Sequence, residues 1–223
     1  MFVLIKQLFS FAPRITIMTV IEAREKIINA AEELFAENGF DNTSVRELAL
    51  KAKVNVAMIS YYFGSKEKLF ETLIEDRTSF LRSKIHALNL EEISSWHKVN
   101  MMVEFFVDRF FEKHLMHRIL HREMGMSHRS KLAESIGTIL AKNANEMRQL
   151  INDGIKKKEF RKIDTEMMMA SFIGTLWQVI GSYNLTCKVL GQKPEKSGVP
   201  NAEVKTRLKA HLKELFHSHL KLK

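Results

Sequence analysis

The side chains best suited to chemistry lie between residues 44 and 66, where hydroxyls, an amide, a guanidinium and an ammonium group occur at helical spacing. Ser44 is followed three residues later by Glu47, the capping-box pattern that begins a helix. Asn55 is a suitable N-cap for another helix shortly afterwards. A hydroxyl, a free backbone amide and a guanidinium at a helix start can contact phosphate or the edge of a base. These groups are therefore candidates for contact with a nucleic acid.

Motifs typical of catalysis are missing from the chain. It has no Gly-rich phosphate loop, no Ser or Cys nucleophile elbow and no HExxH, and its single cysteine, Cys187, excludes an internal disulfide. His114, His117 and His121 share one helical face, with His128 beyond them, so a zinc or nickel site is conceivable. No carboxylate or cysteine completes that set. We therefore expect no enzymatic activity, no catalytic residue, no metal site and no cofactor.

The polar groups between 44 and 66 need helices to position them, and the apolar spacing is helical almost throughout from Ile21. It predicts a first helix over about 22–38, a second behind Ser44, a third from Asn55 to Phe63 and a fourth after Gly64. Two short helices joined by a tight turn and braced by a preceding helix form a helix-turn-helix. Longer helices are predicted near 91–113, 115–127, 130–157, 164–185 and 201–221.

A resemblance sharpens this prediction. The stretch TSVRELALKAKVNVAMISYYFGSKEKLF at 43–70 closely resembles the DNA-binding domain of TetR-family transcriptional regulators. The resemblance is strong over about 20–75, and beyond it only helix count and length agree. It implies an all-α fold of about nine helices, with an N-terminal three-helix helix-turn-helix domain followed by a helical ligand-binding and dimerisation domain. The expected divisions are an N-terminal extension over 1–17, a DNA-binding domain over 18–75 and an effector-binding and dimerisation domain over 76–223.

The resemblance also implies which residues contact DNA. Tyr61 and Lys66 match positions that typically contact the phosphate backbone, whereas Ile59 and Phe63 match the buried face of the recognition helix. Ser44 could serve only as a cap, and Tyr62 could instead pack against the fourth helix. The expected DNA-binding residues are Ser44, Arg46, Asn55, Val56, Ala57, Met58, Ser60, Tyr61, Tyr62 and Lys66.

Two features depart from the family pattern. Lys53 stands where the family usually has Gly, so either the turn differs or Lys53 accepts a left-handed backbone at a cost of about 1 kcal/mol. The third helix has no Arg, Lys or Gln, and Asn55 is expected to be occupied as its cap. Bidentate reading of guanine or adenine is therefore unavailable from this helix, and Arg46 is the one candidate for a guanine. We expect an operator rich in A·T pairs, read partly through its shape.

The later helices are expected to form an effector site and a two-fold interface. The segments 164–185 and 201–221 are the predicted homodimer interface, unless both simply complete the core of a monomer. The second is amphipathic, with Val204, Leu208, Leu212, Leu215 and Phe216 on one stripe. The ligand-binding candidates, which could equally be plain core, are Phe105, Phe106, Phe110, Met124, Met147, Phe172 and Trp177.

The resemblance implies a cytoplasmic, homodimeric regulator. It is either a repressor that a small apolar effector releases from DNA or, on the same architecture, an activator. The alternative is a helical small-molecule-binding protein or enzyme that retains only a structural helix-turn-helix. The net charge of +9 does not decide between them, because residues 18–70 carry seven basic and eight acidic side chains. The apolar start of the chain is interrupted by Lys6 and Arg14, so we expect an extension rather than a signal peptide. No apolar stretch suggests a membrane helix.

Overall fold

The computed structural model describes residues 21–125, 130–194 and 198–222, and the regular structure in these ranges is entirely helical. The all-α prediction is confirmed. The expected extension over 1–17 and His128 lie outside the described residues. The helices are α1, described over 21–38; α2, Val45–Ala52; α3, Val56–Phe63; α4, Lys66–Leu90; α5, Ser95–Glu112; α6, His114–Met124; α7, Ser130–Lys156; α8, Thr165–Gly181; α9, Tyr183–Val189; and α10, Ala202–Leu220.

The chain divides into two compact units, one up to Leu73 and the other from Ile74 onwards. No helix within the described ranges is long and apolar enough to cross a lipid bilayer. The first unit is built around three phenyl rings. Phe35 and Phe70 meet edge to face with ring centroids 5.2 Å apart, and Phe40 lies 5.2 Å from Phe70. Because α1, the turn after it and α4 each supply one ring, this cluster fixes the frame on which α2 and α3 are held.

The turn between α2 and α3 contains the predicted departure from the family pattern. Lys53 ends α2 with φ 56° and ψ 45°, which is left-handed backbone, and its N–H is bonded to the carbonyls of Ala49 and Leu50. Of the two alternatives for this turn, the structure shows the left-handed one. A residue with a Cβ is disfavoured there by roughly 1–2 kcal/mol.

Replacing Lys53 with glycine is expected to give a protein about 1 kcal/mol more stable than replacing it with alanine, since both remove the lysine side chain but only glycine relieves the backbone. Urea denaturation of the two variants measures the difference. The control pair is Lys51→Gly and Lys51→Ala, within α2. There the order should reverse, with alanine more stable by about 0.5–1 kcal/mol. The same order at both positions would contradict this account of the turn.

The second unit is organised around α5, which packs against α7, α8 and α10, while α6 packs against α8. Trp96 packs partly buried against its core, and its ring meets Phe160 edge to face at 4.7 Å. The helix predicted near 91–113 begins later, at Ser95, because the Ser94 side chain caps it by accepting the N–H of His97 at 3.2 Å.

The single helix expected over 164–185 is two helices, α8 and α9, because the backbone breaks at Ser182 with φ −110° and ψ 47°. The hydroxyl of Thr186 donates to the carbonyl of Gln178 at 2.8 Å, which satisfies an acceptor at the end of α8. A side chain thus compensates for the interruption, which hydrophobic periodicity alone does not reveal.

Helix α10 uses its apolar stripe inside its own chain. Four of the five residues predicted on that stripe are buried in the core of the second unit, and Leu215 is partly buried against it. The four are Val204, Leu208, Leu212 and Phe216. An interface with another copy would therefore have to use a different face of α10.

Lysines of α10 also pair with acids of α5. Lys205 and Lys209 reach Asp108 at 2.7 and 2.9 Å, and Glu104 binds Lys209 and Lys213. Partial burial acts to raise the pKa of the Glu104 carboxyl, but the hydrogen bonds from the two lysines lower it overall. Part of the positive charge in the last helix is therefore matched by neighbouring acids within the second unit.

Candidate nucleic-acid interface and effector cavity

The start of α2 is a capping box, as predicted. The Ser44 Oγ accepts the N–H of Glu47 at 3.2 Å, and a Glu47 carboxylate oxygen accepts the N–H of Ser44 at 2.7 Å. The hydrogen bond from the Ser44 backbone, with that from its side chain, lowers the pKa of the Glu47 carboxyl. The backbone and the side chain of Ser44 both take part in the capping box, so the structure shows this residue as a cap. Arg46 is exposed beside it.

Helix α3 presents one polar and aromatic face and buries the other. Its cap is the Asn55 side chain, whose Oδ1 accepts the N–H of Ala57 at 2.9 Å, so the predicted occupation of that amide is confirmed. Ile59 and Phe63 are buried, and Tyr61 is 81% exposed. The remaining candidates on α3 are exposed at Val56, Ala57 and Ser60 and half-buried at Met58 and Tyr62.

Tyr62 contacts other aromatic residues of α3. Its ring meets Tyr61 edge to face at 5.1 Å and Phe63 at 6.3 Å. The half-buried ring of Tyr62 therefore packs beside the exposed phenol ring of Tyr61. Both hydroxyls are donors and acceptors, as phosphate contacts require.

Lys66 has a role that the sequence did not reveal. Its Nζ donates to the carbonyl oxygens of Phe40 and Thr43 at 2.8 and 2.9 Å and lies 4.4 Å from the centroid of the Phe40 ring. This lysine therefore ties the start of α4 to the turn between α1 and α2, immediately before Ser44. A cation in the first turn of a helix opposes the helix dipole, and these two hydrogen bonds account for it without a phosphate contact. The ammonium group still has a third proton, which could be donated to a phosphate.

The second unit contains a cavity of about 280 Å³. Five of the seven ligand-binding candidates line it, namely Phe106, Phe110, Met124, Met147 and Trp177. The other two lie elsewhere. Phe172 is fully buried between Phe106 and Phe216, with both ring centroids 5.3 Å away, and Phe105 packs partly buried against the core. Phe105 and Phe106 are about 100° apart around α5, so only one of them can face the cavity.

The polar residues of the cavity were missed by sequence reasoning. Arg77, Arg109, His117 and Asn143 all line it. Arg109 follows Phe106 at i+3 on α5, so the two lie on the same helical face. An arginine on an otherwise apolar face was the feature of the sequence that could have identified it as a cavity residue. Burial first, and then the nearby Arg109 and His114 side chains, lower the pKa of His117 to about 3. The imidazole is therefore neutral, and it stacks on Phe110 with ring centroids 3.5 Å apart.

The three histidines considered as metal ligands have separate surroundings. His114 is bonded through Nδ1 to the carbonyl of Phe111 at 3.2 Å, and His121 meets Trp177 edge to face at 6.3 Å. His117 is stacked inside the cavity. Across the described ranges, no group of three or more His, Cys, Asp or Glu side chains is arranged to hold a metal ion.

Comparison with known proteins shows similarity to bacterial transcriptional regulators. The family described as "Bacterial regulatory proteins, tetR family" matches residues 27–73. The protein described as "Probable HTH-type transcriptional regulator YttP" from Bacillus subtilis is 30% identical over 142 residues, which is 63% of this chain and 68% of that protein. The HTH-type transcriptional repressor NicS of Pseudomonas putida is 28% identical over 148 residues, covering 62% of this chain and 66% of NicS.

Solved structures show the same fold. The transcriptional regulator FadR from Bacillus subtilis, in complex with stearoyl-CoA, aligns with a TM-score of 0.69 at 19% identity and covers 84% of this chain and 96% of its own. The fatty acid degradation regulator FadR from Bacillus halodurans aligns with a TM-score of 0.70 at 22% identity, covering 85% and 97%. The likeness thus extends through both units of the chain.

Proposed function

This chain belongs to the tetR family of bacterial regulatory proteins, and from that premise we propose that it is a cytoplasmic repressor that binds a two-fold DNA site as a homodimer. The observation that carries the proposal is the exposed face of α3. Asn55 caps this helix, Ile59 and Phe63 anchor it, and Tyr61 projects from it. A recognition helix enters the major groove with its N-terminal residues at the base edges.

The residue types on α3 favour a particular kind of readout. Val56 and Ala57 are exposed and can touch thymine methyl groups, whereas the Asn55 carbonyl oxygen is already occupied by the cap. Arg46 is the exposed guanidinium nearest in sequence to this face and is the candidate for a guanine or a phosphate. We therefore infer an operator dominated by A·T pairs, in which DNA shape contributes to recognition.

The effector is inferred to be a small, predominantly apolar molecule that binds in the cavity of the second unit. Phenylalanine, methionine and tryptophan side chains line that cavity, and such walls with few polar groups are typical of small-molecule sites. Helix α4 contributes Leu69 to the core of the first unit and Leu81 to the cavity. An effector that binds more tightly to one position of α4 would shift the population of DNA-binding conformations. The size of that shift is limited by the difference between its affinities for the conformations.

The inferred dimer uses the outward face of α8. This face carries small residues, Ala170, Ser171 and Gly174, with Met167 before them, and all are exposed. Small side chains let two helices approach closely, and an isologous pair would supply the symmetry that a two-fold operator requires. The outward face of α10, on the side opposite its buried stripe, completes the surface.

Replacing Gly174 with arginine is expected to convert the dimer into a folded monomer and to weaken operator binding. A Cβ at this exposed position meets nothing from the rest of its own chain within 4 Å, so a longer side chain can begin there without a clash. Sedimentation velocity measures the association state, and circular dichroism verifies the fold. Gly174→Ala is the control and should remain dimeric. A dimer that survives Gly174→Arg would place the interface elsewhere.

The salt dependence of duplex binding tests the function itself. A protein that neutralises several phosphates loses affinity steeply, with a slope of log K against log salt of about −0.9 per phosphate contacted. We expect a slope equivalent to several contacts, together with preference for one site. A flat slope without a preferred site would instead support a helical small-molecule carrier or enzyme that keeps the helix-turn-helix only as structure.

A further inference from the structure

Three buried polar atoms at the cavity have no hydrogen-bond partner in the part of the chain that the structure describes. They are Nδ1 of His117 on α6, Nε of Arg109 on α5 and Oδ1 of Asn143 on α7. His117 is only 7% exposed. Buried polar atoms are nearly always hydrogen-bonded, and leaving one unpaired costs free energy, more so when it is charged. Three such atoms from three helices at one apolar cavity indicate a ligand with a polar group.

The charge around the cavity specifies the sign of that group. Its lining includes Arg77 and Arg109 but no Asp or Glu among the described residues. Asp76 pairs with Arg77 at 2.6 Å, whereas Arg109 pairs with Glu112 at 3.8 Å, an acid that is 63% exposed, and donates from Nη2 to the Arg77 carbonyl at 3.2 Å. Arg109 is thus the less compensated of the two guanidinium groups. An anionic acceptor would complete its hydrogen bonding and balance its charge.

The imidazole and the amide supply neutral partners for the same group. His117 carries no charge near neutrality because burial lowers its pKa to about 3. With the proton on Nδ1 it is a donor, and the Asn143 amide becomes a donor after half a turn about its terminal bond. An ionised carboxylate is an acceptor of several hydrogen bonds, and a guanidinium matches its geometry.

The remaining walls define the rest of the ligand. Gly137, Ala141 and Ala144 recur at i, i+4 and i+7 along α7 and leave space opposite Phe106 and Trp177. The volume of about 280 Å³ lies just below the usual range of small-molecule sites, about 300–1,000 Å³. These walls accommodate a compact apolar body rather than a large polar one.

We propose that the effector is a compact apolar monocarboxylate, bound through its carboxylate by Arg109 with His117 and Asn143 as neutral hydrogen-bond partners. The proposal rests on the proposed function, since it specifies the ligand of the same cavity. It assigns recognition of the charged end to this chain's own side chains and leaves the apolar end to the Phe, Met and Ala walls.

Octanoate and 1-octanol test the proposal, because they share an apolar body and differ in the polar end. Trp177 lines the cavity and reports binding by its fluorescence when Trp96 is replaced by phenylalanine. We expect octanoate to bind at least about 10-fold more tightly than 1-octanol. Arg109→Gln should reduce this preference to within about twofold, whereas Arg109→Lys, which keeps the charge, should retain part of it. The control Arg148→Gln, an exposed arginine on α7 outside the cavity lining, should leave the preference unchanged.

Equal binding of acid and alcohol, or binding of neither, would overturn the proposal. Tight binding of octanoyl-CoA without binding of octanoate would overturn it too, since the thioester has no carboxylate at that position. Each comparison is made within one variant, so a loss of stability does not imitate the result. Duplex binding by the same wild-type preparation separates the two claims: selective DNA binding without octanoate preference rejects only the ligand, and octanoate preference without DNA binding rejects the proposed function.

Discussion

Replacing Ala57 with glutamate is expected to weaken duplex binding by at least about 100-fold while leaving the protein as stable as before, because a carboxylate would then face phosphates. Ala57 is exposed at the second position of α3, beside the capping oxygen of Asn55. An acid in the first turn of a helix is favourable to the helix dipole. The substitution therefore separates DNA binding from folding. Fluorescence anisotropy with a labelled duplex measures affinity, and urea denaturation measures stability.

Two controls isolate the charge and its position. Ala57→Gln has nearly the same size without the charge and should lose much less affinity. Ala202→Glu places an acid in the first turn of α10, also at an exposed alanine, and should bind DNA like the wild type. If Ala57→Glu binds as tightly as the wild type, α3 does not face the DNA.

Replacing Gly154 with alanine is expected to lower the free energy of unfolding by about 3 kcal/mol, the upper end of the usual cost of overpacking a core. A Cβ built at this position lies 2.2 Å from Cδ2 of Phe160 and 3.0 Å from Cβ of Ser95. The phenyl ring cannot move away freely because Phe160 is 2% exposed and packs edge to face against Trp96. Relief of the clash would therefore require the core of the second unit to rearrange.

The matched control is Gly137→Ala, also within α7, where an added Cβ meets nothing within 4 Å. Alanine is favoured over glycine in a helix interior by about 0.5–1 kcal/mol, so this variant should be slightly more stable than the wild type. Equilibrium urea denaturation of both variants gives the comparison. A Gly154→Ala protein as stable as Gly137→Ala would mean that Phe160 does not occupy the position described here.

Features set by neighbouring residues were predictable from the sequence. The capping box of Ser44 and Glu47 and the Asn55 cap join atoms two or three residues apart, so residue type and spacing determine them. The left-handed turn at Lys53 was one of two stated alternatives, and the structure selects it. Helix boundaries were less accessible, because the hydrogen bond that compensates for the break at Ser182 joins Thr186 to a carbonyl eight residues earlier.

Features set by contacts between distant residues were not predictable in this way. Lys66 binds carbonyls 23 and 26 residues earlier in the chain, and nothing in its own neighbourhood indicates them. Aromatic and methionine residues mark the core and the cavity alike, so the sequence could not separate Phe172 from Phe106. Arg109 is absent from the ligand-binding candidates, because the residues that enclose the cavity around it come largely from other helices. Packing, rather than composition, decides which of these residues lines the cavity.

The apolar stripe of α10 shows the same limit. Hydrophobic periodicity indicates that Leu208 and Leu212 are covered, but it does not indicate whether the cover comes from the same chain or from another copy. In the structure they are buried against the chain's own core. The inferred interface therefore depends on the small residues of α8, whose exposure only the three-dimensional arrangement reveals.

Selection of binding sites from random duplex DNA tests the central claim most directly. We expect enrichment of one two-fold sequence with A·T-dominated half-sites whose centres lie about one helical turn apart, roughly 34–36 Å, as a dimer of helix-turn-helix domains requires. The same selection with Ala57→Glu should enrich nothing. Enrichment of no sequence by the wild type, or of the same sequence by both proteins, would contradict the assignment of α3 as the surface that reads DNA.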